Sequence, residues 1–274
     1  MSQPALLLDC AQLGYPGGAP ALEDVQLRLN AGERVALLGG NGAGKTALLQ
    51  TLVGLLSPTR GRVQIAGRDT TGDPTRAVEA GAGLVFQNPD DQLFGSTVWE
   101  DALYGPQNQG HPPAESARRV EHALRQLGML ELRERPIEAL SFGEKKRACL
   151  AGVLAMQPSL LLLDEPTAGL DPAGELGFLE LIAAASGPGR ATLLLATHAV
   201  DLVPLFADRV LLLADRRIVA DGPPRDVFRQ SELLARARVR APWAAELWLR
   251  SSQAAPDHPL PLTLSEAAAA LRLR

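Results

Sequence analysis

The chain has 274 residues, 46% of them hydrophobic, and a formal net charge of −4 at pH 7. That length suits one large core or two coupled lobes, and the mild acidity gives no global electrostatic footprint for nucleic acid or an anionic membrane surface. No apolar run approaches the roughly eighteen residues that cross a bilayer, and Met1-Ser2-Gln3-Pro4 lacks the basic and apolar regions of a signal peptide. The two cysteines, Cys10 and Cys149, fit a reduced compartment and have no metal-ligand spacing, so a cytoplasmic chain with both thiols packed inside is expected.

Residues 5–8, 25–29 and 62–65 are short strand-like runs between Gly/Pro turns, and they predict an antiparallel edge. Arg34-Val35-Ala36-Leu37-Leu38 reads as a strand entering a glycine-rich loop, and residues 46–56 read as the helix leaving it. The loop, Gly39-Gly40-Asn41-Gly42-Ala43-Gly44-Lys45-Thr46, matches G-x-x-x-x-G-K-[ST] in full and in the context that motif needs. Its four glycines allow positive-φ turns that aim backbone N–H groups inward at a helix N-terminus, where the macrodipole favours an anion. Lys45 is expected to reach the β- and γ-phosphates of a nucleotide, and the Thr46 hydroxyl to hold Mg²⁺.

Gly83-Leu84-Val85-Phe86 reads as a buried strand ending at Gln87, after which helical patterns run to residue 157, as over 114–127. Strand signals return at residues 160–163, 191–196 and 210–213, the last paired with Ile218-Val219. Four leucines run into Asp164-Glu165, which puts two acids at the C-terminal edge of a parallel sheet, where ligands bind in such folds. Asp164 is the expected Mg²⁺ partner of Thr46, and Glu165 the acceptor of a proton from the water attacking the γ-phosphate; a helix-capping acid pair is the plain alternative.

Beyond Asp226 the chain turns Arg- and Ala-rich and is broken by Pro242, Pro256, Pro259 and Pro261. Thr263-Leu264-Ser265-Glu266 fits a capping box before a short helix over 267–274. Arg236, Arg238 and Arg240 alternate with apolar residues, as on a solvated face rather than a nucleic-acid patch. The layout predicts an α/β nucleotide-binding core over 1–87 and 158–225, a helical subdomain over 88–157 and a C-terminal extension over 226–274.

The phosphate loop, Gln87, Leu140-Ser141-Phe142-Gly143-Glu144, Leu163-Asp164-Glu165-Pro166, Ala168-Gly169-Leu170-Asp171 and Thr197-His198 stand in the order that resembles ABC-transporter ATPases, over residues 1–225. The resemblance implies an α/β P-loop NTPase core with an antiparallel β edge and an inserted helical subdomain, hydrolysing ATP with Mg²⁺. It also implies a dimer in which the signature peptide of one subunit closes on the ATP held by the other. On that footing Gly39, Asn41, Gly42, Ala43 and Gly44 cradle the phosphates, and Tyr15 stacks on adenine. Gln87 senses Mg²⁺ and the attacking water, His198 contacts the γ-phosphate, and Asp171 bridges the subunits.

Ser141 and the Gly143 N–H would then meet the γ-phosphate of the facing subunit's nucleotide. The residues themselves also fit an S-x-x-E capping box, and Tyr15 also fits simple packing. Lys145, Lys146 and Arg147 occupy the first turns of that helix, where the dipole disfavours cations, a conflict that an approaching anion would relieve. The peptide departs from the usual L-S-G-G-Q at Phe142 and Glu144, with the serine and second glycine in place.

Phe86-Gln87-Asn88-Pro89-Asp90-Asp91-Gln92-Leu93-Phe94, with Glu144-Lys145-Lys146-Arg147 and residues 151–156, is similar to the ATPase of energy-coupling-factor importers, particularly the cobalt/nickel group. That resemblance implies a peripheral subunit on the cytoplasmic face of the membrane, acting as a homodimer. Its partners would be a transmembrane coupling subunit, seated in a groove lined by the segment after Gln87, and a substrate-binding membrane subunit; no nucleic acid is involved. Asp90-Asp91-Gln92 also fits an N-terminal helix cap. An importer of a vitamin such as biotin shares nearly all these features, while a soluble mechanochemical ABC ATPase would carry a long coiled-coil insert or tandem halves. His111, His122, His198 and His258 have no ligand spacing, so the choice of cargo is expected in the membrane subunit.

Overall fold

Leu160-Leu161-Leu162-Leu163 does not alternate with polar residues because the strand it forms is covered on both faces. In the computed structural model, which describes residues 3–251 and 258–271, the chain starts with strands β1 (Leu6–Leu13), β2 (Leu22–Leu29) and β3 (Arg34–Leu38). Helix α1 (Lys45–Leu52), strands β4 (Arg60–Ile65) and β5 (Arg68–Asp69), helix α2 (Pro74–Glu79) and strand β6 (Ala82–Val85) follow. Helices α3 (Val98–Asn108), α4 (Pro113–Gln126) and α5 (Phe142–Ala155) come next. The chain then runs through β7 (Leu160–Asp164), α6 (Pro172–Ala185), β8 (Thr192–Ala196), α7 (Val203–Phe206), β9 (Arg209–Ala214) and β10 (Arg217–Gly222). Beyond them lie α8 (Pro224–Phe228), α9 (Ser231–Arg236), α10 (Trp243–Arg250) and α11 (Leu264–Ala270).

The main sheet has six strands in the order β10-β9-β3-β8-β7-β6, parallel throughout except for β10, which closes one edge antiparallel to β9. Alternation along each strand feeds two cores. Val35, Leu37, Leu160, Leu162, Leu211 and Leu213 face one core, shared with α1 and strands β1, β2 and β4. Ala36, Leu38, Leu161, Leu163, Val210 and Leu212 face the other, built with the helices. The expected antiparallel edge is a four-stranded sheet of its own, ordered β2-β1-β4-β5.

Val98, Ala102, Val120, Leu124 and Leu150, from the three helices between β6 and β7, share a single core with Leu161 and Leu163. The segment after Asp226 belongs to that core too, through Val227, Phe228, Leu234, Ala245, Trp248, Leu260 and Leu262. Its arginines are mostly paired: Arg236 with Asp215 and Arg240 with Asp201.

Three local expectations change. Helix α1 stops at Leu52, short of residue 56, because the chain turns through Gly54 at φ +78°. Thr263 caps α11 by accepting from the Glu266 N–H at 3.2 Å, but the Glu266 carboxylate turns to the Leu262 N–H and Arg225, so only half of the capping box forms. Residues 272–274 of that helix and Pro256 lie outside the described residues, as do Met1 and Ser2. Asp90 and Asp91 cap no α-helix: Asn88 caps the three-residue 3-10 turn Pro89–Asp91, and Thr97 caps α3.

Candidate functional site

The parallel strands send their C-terminal ends to one rim of the sheet, and there the glycine-rich loop after β3 meets the residues after β6, β7 and β8. Of the loop's four glycines, only Gly42 and Gly44 take positive φ, at +75° and +99°. Gly44 also lies so close to Leu22 that an added Cβ would sit 2.9 Å from its Cγ. Gly39 has ordinary φ and is needed for space instead: a Cβ there would stand 2.9 Å from Ala43 Cβ and 3.0 Å from the Leu213 carbonyl. Gly40 directs its N–H away from the nest, to the Ala237 carbonyl at 2.8 Å.

Lys45 opens α1 with its side chain buried. Its Nζ donates to the Gly39 carbonyl at 2.9 Å and stands 3.0 Å from His198 Nε2 and 3.5 Å from Glu165 Oε1. Burial pushes the ammonium below its ordinary pKa, and the carboxylates of Glu165 and Asp164 oppose that shift. Glu165 holds the centre: Oε1 is 2.9 Å from His198 Nε2, and Oε2 accepts from Gln87 Nε2 at 3.3 Å. A single imidazole nitrogen cannot donate to Glu165 and accept from Lys45 at once, so the histidine tautomer selects which contact is a hydrogen bond.

Thr46 Oγ1 donates to Asp164 Oδ2 at 2.7 Å. The other oxygen, Asp164 Oδ1, is buried without a hydrogen-bond partner, and burial raises the carboxyl pKa against the Thr46 bond. An orphaned carboxylate oxygen beside a hydroxyl is a hard oxygen pair, the donor set that Mg²⁺ takes. Tyr15, Asn41, Lys45, Thr46, Gln87 and Glu165 line one cleft of about 480 Å³. Tyr15 is half exposed there, and its hydroxyl donates to Gln50 Oε1 at 3.1 Å.

The ABC transporter family model matches residues 22–168, a span holding the phosphate loop, Gln87, Ser141, Asp164 and Glu165. The chain belongs to the ABC transporter family. It is an ATPase of that family, and its relatives include energy-coupling-factor ATP-binding proteins. The energy-coupling factor transporter ATP-binding protein EcfA of Methanocaldococcus jannaschii is 44% identical over 235 residues, 85% of this chain and 84% of that protein. The EcfA of Methanothermobacter thermautotrophicus is 42% identical over 254 residues, 92% of this chain and 81% of that protein. Among solved structures, cbiO1 of Clostridium perfringens, described as part of the ABC transporter complex cbiONQ, superposes with a TM-score of 0.74. It is 36% identical, over 85% of this chain and 94% of that one.

Within this ABC ATPase, Lys45, Thr46, Gln87, Asp164, Glu165 and His198 come together, while Ser141, Gly143 and Asp171 do not join the cleft lining. Ser141 caps α5 in a complete capping box: its Oγ accepts from the Glu144 N–H at 3.3 Å, and Glu144 Oε2 accepts from the Ser141 N–H at 2.7 Å. Asp171 caps α6 by accepting from the Gly174 N–H at 2.7 Å. The conflict of cations with the α5 dipole has an internal answer that weakens the argument for an approaching anion. Lys145 pairs with Asp90 at 2.6 Å, and Lys146 is fully buried among backbone carbonyls. Cys10 and Cys149 are buried free thiols, and burial pushes Cys149 up to about 12.

Two features of the site go beyond the sequence signal, which puts Phe94 in the segment lining a partner groove but does not single out Tyr104. Ala237 takes the Gly40 N–H with the free carbonyl at the C-terminal end of α9, a contact between positions far apart in the chain. Beside the helices, Phe94 and Tyr104 are 65% and 54% exposed and meet edge to face at 4.6 Å. Tyr104 borders a mostly apolar groove of about 430 Å³ that Pro74, Val78, Gly105 and Met156 also line. Leu93, by contrast, is half-buried against the core. Among the described residues no helix is long and apolar enough to cross a membrane.

Proposed function

We propose that this chain is the ATP-hydrolysing subunit of an energy-coupling-factor importer for a transition-metal cation, cobalt or nickel. The observation that carries the reading is the convergence of Lys45, Gln87 and His198 on Glu165, beside a cleft floored by the phosphate loop. Backbone N–H groups from Asn41 to Thr46 and the Lys45 ammonium hold the phosphates, and Tyr15 carries the adenine. Thr46 and Asp164, with Gln87, would hold Mg²⁺, which supplies charge neutralisation between the β- and γ-phosphates. Glu165 accepts the proton of the attacking water, while Gln87 and His198 fix the carboxylate from either side.

Ser141, Gly143 and Asp171 act in this reading on a second copy of the chain, since in their own subunit they stand at helix N-termini outside the cleft. Each chain carries a full set of these residues, which supports a homodimer with two composite sites. The groove beside Phe94 and Tyr104 receives the transmembrane coupling subunit, and residues 88–157 carry it as a helical unit on the core of 1–87 and 158–225. The chain then sits peripherally on the cytoplasmic face of the membrane, and a separate membrane subunit binds the cargo.

Support for a metal cargo comes from the likeness of residues 86–94, 144–147 and 151–156 to the cobalt/nickel group. A vitamin cargo is the second reading, favoured by relatives that carry only the general energy-coupling-factor name. Purification of the detergent-solubilised complex, with its partners identified and uptake of Co²⁺, Ni²⁺ and biotin measured, separates them. Metal uptake that needs this chain supports the first reading, and vitamin uptake without metal uptake overturns it.

A further inference from the structure

Lys146 is a fully buried cation with no carboxylate partner among the described residues. Removing an ammonium from water costs several kcal/mol unless its donors are satisfied. Here two of its three donors meet the backbone of two residues of the site. Nζ donates to the Gln87 carbonyl and, at 3.4 Å, to the Glu165 carbonyl, and it lies 5.4 Å from the centre of the Phe142 ring. Among the described residues no other donor reaches the Gln87 carbonyl.

Both carbonyls belong to residues just past neighbouring strands, β6 and β7, whose side chains touch through Gln87 Nε2 and Glu165 Oε2. Glu165 is also one of the few non-glycine residues at positive φ, +44°. That conformation is unfavourable for a residue with a Cβ and persists only when its surroundings hold it. The Glu165 N–H is held by the Ala196 carbonyl at 2.9 Å, and its carbonyl by the Ala168 N–H at 3.1 Å together with Lys146.

We propose that Lys146 is a positioning residue that clamps Gln87 and Glu165 together through their backbone carbonyls and so aims the Glu165 carboxylate at the attacking water. The lysine stands five residues after Ser141, on the helix that the signature peptide caps, so the same helix presents the signature at one end and holds the hydrolytic carboxylate from its first turns. Its distance from the nucleotide-binding groups separates the two functions: Lys45, Thr46 and Tyr15 make no contact with it. This inference rests on Glu165 being the base.

The test is a double-mutant cycle on single-turnover hydrolysis, with ATP affinity read in parallel by nucleotide titration. Lys146→Met keeps the apolar stem and removes the donors; it should lower kcat by ~10- to 100-fold, the size of effect that slight misplacement of a reacting group produces, with Kd for ATP within about twofold of wild type. Lys146→Gln, whose amide falls one bond short, should show the same split at about three- to tenfold. In a Glu165→Gln background either change should move the residual rate by less than about twofold, because the lysine acts through that carboxylate. Equal losses in both backgrounds, a Kd that rises in step with the loss of kcat, or a wild-type kcat in both lysine variants would overturn the clamp. A Glu165→Gln protein with a near wild-type rate would instead remove the base assignment itself, so the two failures are distinguishable. If Lys146→Met does not fold, the smaller Lys146→Gln change decides the matter by the same criteria.

Discussion

Replacing Glu165 by glutamine changes rate and affinity in opposite senses. The carboxylate contacts His198, Lys45 and Gln87, and the amide keeps its shape and one acceptor oxygen while losing charge and basicity. Loss of a general base lowers kcat by about 10²- to 10⁴-fold. Binding responds to the electrostatics. Unit charges 3.5 Å apart attract by about 5 kcal/mol at an effective dielectric near 20. Most of that is offset by desolvation and by the Gly39 carbonyl, which holds Lys45 in either variant. A remainder of about 1 kcal/mol, freed when the carboxylate no longer competes with the γ-phosphate for the ammonium, tightens ATP binding by ~fivefold. Nucleotide titration gives Kd and single-turnover hydrolysis gives the chemical step. Near wild-type hydrolysis refutes the base, and weaker ATP binding refutes the competition for Lys45.

The same Glu165→Gln protein should sediment as a dimer of this chain alone when Mg·ATP is added; a persistent monomer with nucleotide bound rejects two composite sites. Phe94→Asp combined with Tyr104→Asp should abolish co-purification with the transmembrane subunit and leave ATP affinity unchanged, since both rings are exposed and far from the phosphates; retained transport removes the groove from the interface. Leu93 is left alone in that design because a charge there would enter the core. Finally, Arg225 beside Glu266 holds the Glu266 carboxyl below its ordinary value of 4.5, so this contact stabilises the docked segment fully above that pH and is lost as pH falls through the lowered folded value. Pepsin cleavage between residues 258 and 271 should therefore rise as pH falls below 4.5, and Glu266→Gln should show the higher cleavage already at pH 5; identical profiles for the two proteins rule out the anchor.

What could be read from the sequence was what is encoded locally. The phosphate loop, the acids after Leu163 and the apolar runs of β3, β7, β8 and β9 depend on neighbours a few residues away, and they lie where their spacing puts them. Less visible was anything decided by partners distant in the chain. That β1, β2 and β4 form a separate sheet follows from their mutual registers, and that the segment after Asp226 is built into the core follows from α8 packing on β9 and β10 and from Phe228 and Trp248 joining the cluster that also holds Ala36 and Leu38. Lys146 was visible only as a cation in the wrong half of a helix, because its partners are carbonyls, which every residue has. Gly39 looked like a turn glycine, whereas it is the Ala43 and Leu213 contacts that leave no room for a side chain.

The chain leaves the sheet after β6 and returns to it at β7, and these are adjacent strands with β6 on the outer edge. Everything between, α3 to α5 with the signature peptide and the exposed Phe94–Tyr104 pair, therefore enters and leaves the sheet at two points side by side, while its inner faces share the core of the sheet. The groove-bearing helices are thus joined to the sheet by chain segments that pass Gln87 on the way out and Glu165 just after the return, and the lysine of α5 bonds to the backbone of both.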